Sequence, residues 1–228
     1  MAGKNGKRYR ADLEKVDIDK AYPLDEAVAK LKTFKPAKYD QTVAVCIHLG
    51  VDPKQADQNI RGSVSLPNGI GKTKRVIAFC RDDLTEPAKQ SGAIEAGGEA
   101  LVAKIEGGWM EFDVAIASPD MMRFVSRLGK TLGPKGLMPS PKNGTVTPNV
   151  VQAVKEFTAG KIEFRNDAGG NVHAVVGKLS FEPAKLQENV QAFLDMIHRM
   201  KPSSAKGQYI KKISLAGTMT PGVTVQEA

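Results

Sequence analysis

Two short runs of continuously apolar residues near the middle of the chain most constrain its fold. VIAFC covers residues 76–80, DVAIA covers residues 113–117, and turn-forming residues bound both runs. Continuously apolar strands are typical of parallel sheets that are covered on both faces. The segments between and after them, AKQSGAIEAGG, EALVAKI and PDMMRFVSRL, have helical spacing. This alternation of strand and helix predicts a doubly wound α/β unit.

The segments that flank this region have a different pattern. TVAVCIHL, residues 42–49, alternates large apolar residues with smaller or polar ones, which predicts a strand with one buried face. KIEFRN and NVHAVVGKLSF alternate in the same way around the turn DAGG, which predicts a β-hairpin. Asp52-Pro53 predicts the start of a polar helix, because Pro is favoured at the first helical position.

Both chain ends therefore differ in kind from the middle. Further one-sided strands are predicted over residues 61–66 and 208–217, and amphipathic helices over residues 23–34 and 183–200, after an arm or irregular helix in residues 1–20. We expect the two ends to build one α+β domain from residues 1–67 and 160–228, with residues 68–159 inserted as an α/β domain. LPNGIGK and Ala159-Gly160 predict hinges near residues 67–71 and 158–161.

The tripeptide Gly-Lys-Thr occurs twice, at residues 71–73 and 129–131, and raises the question of a nucleotide-binding loop. Such a loop needs another glycine five positions earlier, and it joins a preceding strand to a following helix. Leu66 and Phe124 occupy the required positions. The first tripeptide also leads into a strand instead of following one. The residues argue against a nucleotide site at either place.

Other signatures of catalysis, cofactor binding and metal binding are missing as well. The sequence has no Gly-x-Ser-x-Gly elbow, and Lys74 stands where a dinucleotide motif beginning at Gly69 needs its third glycine. Cys46 and Cys80 lie in separate apolar strands, and the three histidines lack the spacing of metal ligands. No apolar run approaches the ~18–20 residues of a membrane span. We expect a cytosolic protein with no cofactor, no metal site and no membrane partner.

Positive charge is unevenly distributed along the chain. The formal net charge is +8 and the isoelectric point is about 9.4. No acid lies between Asp120 and Glu156 or between Met196 and Gln226, and the N-terminus is basic up to Asp12. The first of these stretches carries Arg123, Arg127, Lys130, Lys135, Lys142 and Lys155, and the N-terminus carries Lys4, Lys7, Arg8 and Arg10. Three such stretches favour a polyphosphate partner, although any one of them alone is explained by a solvated surface.

Several long motifs carry a resemblance to a known family. The segments are RLGKTLGPKGLMPSPKNGTV from residue 127, GKRYR from residue 6, DQNIRGSVSLPNGIGK from residue 57, KIEFRND from residue 161 and TMTPGV from residue 218. Together they resemble the bacterial-type L-one family of large-subunit ribosomal proteins, nearly from end to end.

The resemblance implies a fold and a function. Both chain ends would build an RNA-binding α+β domain, and the inserted domain would be a Rossmann-like three-layer α/β structure. The protein would bind large-subunit rRNA at the base of a mobile stalk, near the exit site for deacylated tRNA, as a monomer within the ribosome. It would also repress translation by binding a similar RNA fold in the mRNA of its own operon.

The resemblance also implies an RNA contact surface made of two separated segments. The first is Lys38-Tyr39-Asp40-Gln41-Thr42, where the family commonly has Phe at the position of Tyr39, and Lys38, Tyr39 and Thr42 are its expected contact residues. The second is Thr218-Met219-Thr220, where the family usually has Gly in place of Thr220. A glycine there would allow close approach of RNA or a positive φ, so Thr220 predicts an altered loop or a weaker contact.

Two further sets of residues come with the resemblance. Arg165 and Asp167 are expected to adjoin the RNA surface, although Asp167 alternatively caps a turn to Gly169. In the basic segment of residues 127–145, the cations Arg127, Lys130, Lys135 and Lys142 are expected to meet tRNA or rRNA phosphates. Leu132, Leu137 and Met138 are expected to pack beneath that segment.

Two other functions compete with a ribosomal protein. The first is a free-standing RNA-binding translational regulator that has no stable binding site on the ribosome. Such a protein would be lost from large subunits on high-salt washing. The second is a metabolic α/β enzyme, because doubly wound sheets support many unrelated activities. An enzyme would bind a small molecule at the switch point of its sheet.

Overall fold

A computed structural model describes residues 6–18, 20–205 and 207–226 of the chain. Lys4 and Lys206, which belong to two of the basic stretches, lie outside the described residues. The chain divides into two compact units. We call residues Met1–Gly71 with Phe164–Ala228 the terminal unit, and residues Lys72–Glu163 the inserted unit.

Nine strands and eight helices are present in the described part of the chain. The strands are β1 (Thr42–Leu49), β2 (Arg61–Val64), β3 (Val76–Phe79), β4 (Ala93–Gly97), β5 (Val114–Ala117), β6 (Ile162–Arg165), β7 (Asn171–Lys178), β8 (Ile210–Gly217) and β9 (Val223–Val225). The helices are α1 (Lys7–Leu13), α2 (Leu24–Thr33), α3 (Thr85–Gln90), α4 (Glu99–Glu106), α5 (Met122–Val125), α6 (Gly129–Leu132), α7 (Val150–Thr158) and α8 (Pro183–Arg199). None of these helices has the length and apolar character that a membrane crossing requires.

The terminal unit is built on a four-stranded antiparallel sheet in the order β7-β1-β8-β9. Val43, Val45 and Ile47 of β1 are buried and alternate with partly exposed residues, as the sequence pattern predicts. Helices α2 and α8 contact each other and the sheet. The apolar face of α8 is formed by Leu186, Val190, Phe193, Leu194 and Ile197, which are all buried.

The register of β1 determines which loops meet at each end of this sheet. At one end, Thr42 pairs with Lys178 and Val43 pairs with Gly217. At the other end, His48 pairs with Asn171 and Leu49 pairs with Ile210. At about 3.3 Å per residue, these two ends lie roughly 20 Å apart. The segments before β1 and after β8 therefore share one end of the sheet.

The inserted unit contains the parallel sheet that the apolar runs predict. Its strand order is β4-β3-β5, and all three strands run in the same direction. Helices α3 and α7 pack on one face, where Phe157 and Ile116 are fully buried. Helices α4, α5 and α6 pack on the opposite face against Ile77 and Phe79. Both faces of β3 and β5 are covered, which explains their continuously apolar sequences.

The structure corrects three predictions of secondary structure. The hairpin is only partly formed: a single antiparallel bridge joins Asn166 to Val172 across the turn, but β7 pairs along its length with β1, and β6 pairs with β2. The segment AKQSGAIEAGG is only partly helical: Gly92, with φ +109°, ends the turn after α3, and β4 follows. The polar helix at Asp52 is also absent, and a single 3-10 turn at Ala56–Gln58 replaces it. The Asp52 carboxylate accepts the backbone N–H of Lys54 at 3.0 Å and forms a local turn instead.

A buried asparagine on α8 holds the chain segment that follows β2. The Asn189 side chain on α8 is fully buried, and its Oδ1 accepts the backbone N–H of Asn68 at 3.0 Å. Its Nδ2 donates to the backbone oxygens of Gly69 at 2.9 Å and Val176 at 2.8 Å. One side chain thus satisfies three backbone groups, of which the Val176 oxygen is buried and the groups of Asn68 and Gly69 are partly buried.

We predict that Asn189→Ala lowers the free energy of unfolding by about 3 kcal/mol, because each orphaned buried backbone group costs about 1–3 kcal/mol. Urea unfolding of the full chain measures this difference. Gln191→Ala on the same helix is the matched control, since the Gln191 amide bonds only the exposed Asp195 at 3.0 Å. The control should change stability by less than about 0.5 kcal/mol. Equal losses in the two variants would contradict this role of Asn189.

Candidate nucleic-acid interface

The two predicted RNA-binding segments meet at one end of the terminal unit's sheet. The Thr218 hydroxyl oxygen accepts the backbone N–H of Thr42 at 3.1 Å and lies 3.3 Å from the Thr42 carbonyl oxygen, to which it donates. These bonds join residues that are 176 positions apart in the chain. They follow from the pairing of Val43 with Gly217, which brings the start of β1 beside the end of β8.

Gln41 forms a second link between the same two segments. Its side chain is 1% exposed, and its Oε1 accepts the backbone N–H of Met219 at 3.0 Å. Its backbone oxygen accepts the N–H of Leu179 at 2.8 Å, which attaches the segment after β7 to the same place. The side-chain oxygen and the backbone oxygen of Gln41 thus hold three chain segments together, which makes this end of the sheet a preformed surface.

Large apolar side chains project from this surface. Tyr39 and Met219 are each 51% exposed, which is unusual for residues of their size in a folded unit. Lys38 is exposed beside them. An aromatic ring, a thioether and a cation therefore lie on adjoining segments and leave their contact surface open to a partner.

The segment that carries Tyr39 is held in place by its neighbour. The Asp40 carboxylate accepts the backbone N–H of Ser180 at 3.2 Å and the Ser180 hydroxyl at 2.8 Å. A cleft of about 490 Å³ adjoins Tyr39 and is lined in part by Phe34 and Leu179. The exposed ring thus lies on a fixed backbone at the edge of a cleft with both polar and apolar lining residues.

The threonine hydroxyls have different bonding states. The Thr42 hydroxyl oxygen accepts Lys178 Nζ at 2.9 Å, which leaves the hydroxyl proton free to be donated to an external acceptor. The Thr218 hydroxyl donates to the Thr42 backbone and keeps only acceptor capacity. Thr42 can therefore donate to an RNA oxygen, whereas Thr218 mainly holds the two segments together.

The structure corrects the expectation for Thr220. Its side chain is 8% exposed, and its hydroxyl oxygen accepts the backbone N–H of Gly217 at 2.8 Å. No non-glycine residue in the described part of the chain has a positive φ, so this turn does not need a glycine at position 220. Thr220 lies beneath the surface and stabilises the turn, and it does not project from the surface as a contact residue.

Arg165 and Asp167 do not adjoin this cluster. The turn that contains Asp167 lies at the opposite end of β1, where Leu49 donates its backbone N–H to Gly170 O at 2.9 Å. Asp167 Oδ1 accepts the backbone N–H groups of Gly169 at 2.8 Å and Asn171 at 2.7 Å. The alternative role of Asp167 as a turn cap is the one that the structure supports. These bonds lower the pKa of the Asp167 carboxyl to about 2, chiefly through the backbone N–H of Asn171.

The basic segment of residues 127–145 belongs to the inserted unit. Arg127, Lys130, Lys135 and Lys142 are all exposed. Leu132 is fully buried beneath them, and Leu137 and Met138 pack partly buried against the same core, as predicted. The backbone N–H of Ala117, at the end of β5, donates to Thr145 O at 2.9 Å and anchors the end of the segment. The cations thus stand on a folded and anchored element.

The sequence did not predict Lys178 at this site; it placed Gln41 within the first RNA segment without a role of its own, and Arg8 only within the basic N-terminal stretch. Gln41 and Lys178 are single polar residues at strand ends, and Arg8 reaches the cluster from α1. Only the pairing of β1 with β7 and β8 reveals that they lie together. No group of His, Cys, Asp or Glu side chains suited to a metal ion occurs in residues 6–18, 20–205 and 207–226.

Comparisons with known proteins identify related sequences. Residues 31–221 match the sequence model of the Ribosomal protein L1p/L10e family. The chain is 51% identical to the "Large ribosomal subunit protein uL1" of Cutibacterium acnes (strain DSM 16379 / KPA171202) over 222 residues, which cover 97% of this chain and 96% of the relative. It is 49% identical to the protein of the same name from Protochlamydia amoebophila (strain UWE25) over 223 residues, 98% of this chain and 94% of the relative.

The lowered pKa of Asp167 predicts a specific pH dependence. Because the folded-state pKa of about 2 lies below the ordinary value of 3.8, ionised Asp167 stabilises the fold above about pH 4. That contribution is lost as the pH falls towards 2. Carboxyl NMR shifts of the full chain should give a midpoint near 2 for Asp167, and a midpoint near 4 would contradict the capping geometry.

Proposed function

Because the chain belongs to the Ribosomal protein L1p/L10e family, we propose that it is a structural constituent of the large ribosomal subunit that binds large-subunit rRNA through the cluster at the Thr42–Thr218 end of its terminal unit. Membership in a family of structural ribosomal proteins also confirms that the chain is not an enzyme. The proposed location is on the ribosome in the cytoplasm. The proposed binding site on the ribosome is the mobile stalk, near the exit site for deacylated tRNA.

The observation that carries this proposal is the hydrogen-bonded junction of two distant segments that present Tyr39 and Met219 to solvent. Within the junction, Gln41 Oε1 accepts the backbone N–H of Met219, and the Thr218 hydroxyl both accepts from and donates to the backbone of Thr42. What remains exposed is the apolar and aromatic surface of Met219 and Tyr39 beside the cation Lys38 and a partly exposed Thr42. Thr218 and Asp40 are exposed as well, and the Asp40 carboxylate bonds Ser180. A surface of this kind has few groups that read base edges, and it therefore favours recognition of shape.

The shallow minor groove of an A-form RNA helix matches such a surface. That groove displays 2′-hydroxyls and sugar faces, which hydroxyl and apolar side chains contact without reading the base sequence. Tyr39 provides a ring for a ribose or an unstacked base, and its hydroxyl can reach a phosphate. Lys38 supplies a charge for the backbone phosphates that border the groove.

Two further roles belong to the same proposal. The exposed cations of residues 127–142 are suited to phosphates of tRNA or rRNA, and we assign to them the contact with deacylated tRNA that assists its release. The RNA surface of the terminal unit would also bind a similar fold in the mRNA of the chain's own operon and repress its translation. One surface for two RNAs requires that rRNA and mRNA compete.

The test of the proposed function is filter binding of the full chain to a stalk-helix fragment of large-subunit rRNA, beside a scrambled duplex of equal length, at low and high salt. Preferential binding to the stalk fragment that persists at high salt supports shape recognition. Equal binding to both RNAs that high salt abolishes would overturn the proposal. Co-sedimentation with large subunits through a high-salt wash excludes the free-standing regulator.

We predict that Tyr39→Ala and Met219→Ala each weaken binding to the stalk fragment by about tenfold. Loss of one stacked ring costs about 1–3 kcal/mol, and loss of a buried thioether side chain costs a similar amount. Ile94→Ala is the matched control, because Ile94 is 49% exposed but lies in the inserted unit. Filter binding at one fixed salt concentration measures all three. The contact surface is placed wrongly if Ile94→Ala weakens binding as much as the other two.

We predict that replacing Arg127, Lys130, Lys135 and Lys142 together by Ala reduces the slope of log affinity for deacylated tRNA against log salt by about 3. Each lost phosphate contact contributes about 0.7–0.9 to that slope. The control variant replaces Lys54, Lys185, Lys211 and Lys212 of the terminal unit, which removes the same charge. If the two variants reduce the slope equally, net charge alone governs tRNA binding and the assigned contact is wrong.

A further inference from the structure

Helix α1 contacts both RNA-binding segments of the terminal unit. Arg8 Nη2 donates to the backbone oxygen of Met219 at 3.3 Å. One turn further along α1, Asp12 Oδ1 accepts the backbone N–H of Lys35 at 3.1 Å, three residues before Lys38. A single short helix thus bridges the segment that carries Tyr39 and the segment that carries Met219.

A buried carboxylate fixes this helix in place. Asp12 is 0% exposed, and Lys15 Nζ lies 3.3 Å from its Oδ1. Lys15 Nζ also donates to the backbone oxygen of Thr33 at 3.0 Å, so that Asp12 and Lys15 each bond the segment before Tyr39. Moving the helix would break both bonds and take the Lys35 N–H from a buried carboxylate. Asp12 is therefore a positioning residue for α1 and does not itself contact RNA.

The part of α1 that lies towards Met219 is basic. The described chain begins Gly6-Lys7-Arg8-Tyr9-Arg10, and its first acid is Asp12. Lys7 is exposed and Arg8 is half-buried. The bond to Met219 engages one N–H of the Arg8 guanidinium, which carries five, so further N–H groups remain to bind phosphate oxygens.

We propose that α1 is a third segment of the RNA-binding surface, in which Lys7 and Arg8 bind the backbone phosphates that border the groove contacted by Met219. This inference rests on the proposed function. In an A-form helix, the minor groove is wide and shallow and is bordered by phosphates. A guanidinium within hydrogen-bonding distance of the Met219 backbone therefore lies beside the bordering phosphates when Met219 enters the groove. The two segments contact the groove itself, and α1 adds positive charge at the phosphates that border the groove.

The test is filter binding of the full chain to the stalk-helix fragment across a series of salt concentrations. The double variant Lys7→Ala/Arg8→Ala should weaken binding about tenfold at low salt and reduce the slope of log affinity against log salt by about 1.5. The control Lys211→Ala/Lys212→Ala removes the same charge from β8, where Lys212 pairs with His48 at the opposite end of the sheet. The control should leave the slope unchanged.

Two more variants separate charge from structure. Arg8→Lys keeps the charge but loses the planar fork, so its slope should match the wild type while its affinity falls two- to threefold. Asp12→Ala should reduce the slope as the double variant does, although both cations remain, provided that its circular dichroism shows a folded chain. If Asp12→Ala does not fold, the double variant and Arg8→Lys decide the question.

The outcomes distinguish the two proposals. If the wild-type chain does not prefer the stalk fragment over the scrambled duplex, the proposed function fails. If it does prefer the stalk fragment but the double variant has the wild-type slope, only the role of α1 is overturned. A fall in the affinity of the double variant with an unchanged slope would likewise overturn it, because Arg8 would then support the Met219 turn without touching phosphate.

Discussion

The surface assigned to RNA depends on the hydrogen bonds by which the Thr218 hydroxyl closes on the backbone of Thr42. These bonds join segments that are 176 residues apart. They form only when β1 pairs with β8 so that Val43 lies opposite Gly217. The register is specified strongly, because a shift of one residue would turn every buried side chain of β1 to solvent. The hydrophobic pattern of one strand therefore determines whether the site exists.

The remaining contacts make the surface rigid before RNA arrives. Gln41 bonds the Met219 backbone, Asp40 bonds Ser180, and Thr220 caps the turn that contains Met219. Because these hydrogen bonds already fix the two segments, binding does not have to order them, and less conformational entropy is lost on association. The side chains left exposed, Tyr39 and Met219, contact a partner through shape. The inserted unit offers a different chemistry, with exposed cations on the segment anchored to the end of β5.

The sequence predicted the elements whose periodicity reflects burial on one or both faces. The alternation in β1 and the continuous apolar runs of β3 and β5 were confirmed, because burial determines residue type at each position. Strand pairing was predicted less well: the hairpin at DAGG consists of one bridge, Asn166 to Val172, whereas β7 pairs along its length with β1, far away in sequence. Local turn chemistry gives no information on such a partner. The position of Thr220 beneath the surface was not predicted for a similar reason. Its bond to Gly217 depends on a backbone geometry that no residue pattern shows. Only the pairing of the strands shows that Gln41, Lys178 and Arg8 lie close together.

The most direct measurement is the ratio of affinities for the stalk-helix fragment and the scrambled duplex in a Thr218→Val variant of the full chain. Valine keeps the shape of the side chain but removes both hydrogen bonds to Thr42. If those bonds hold the two segments in register, the ratio falls by at least about fivefold, as the loss of about 1 kcal/mol requires, while binding to the scrambled duplex stays the same. A folded Thr218→Val chain that discriminates between the two RNAs as well as the wild type does would contradict the account.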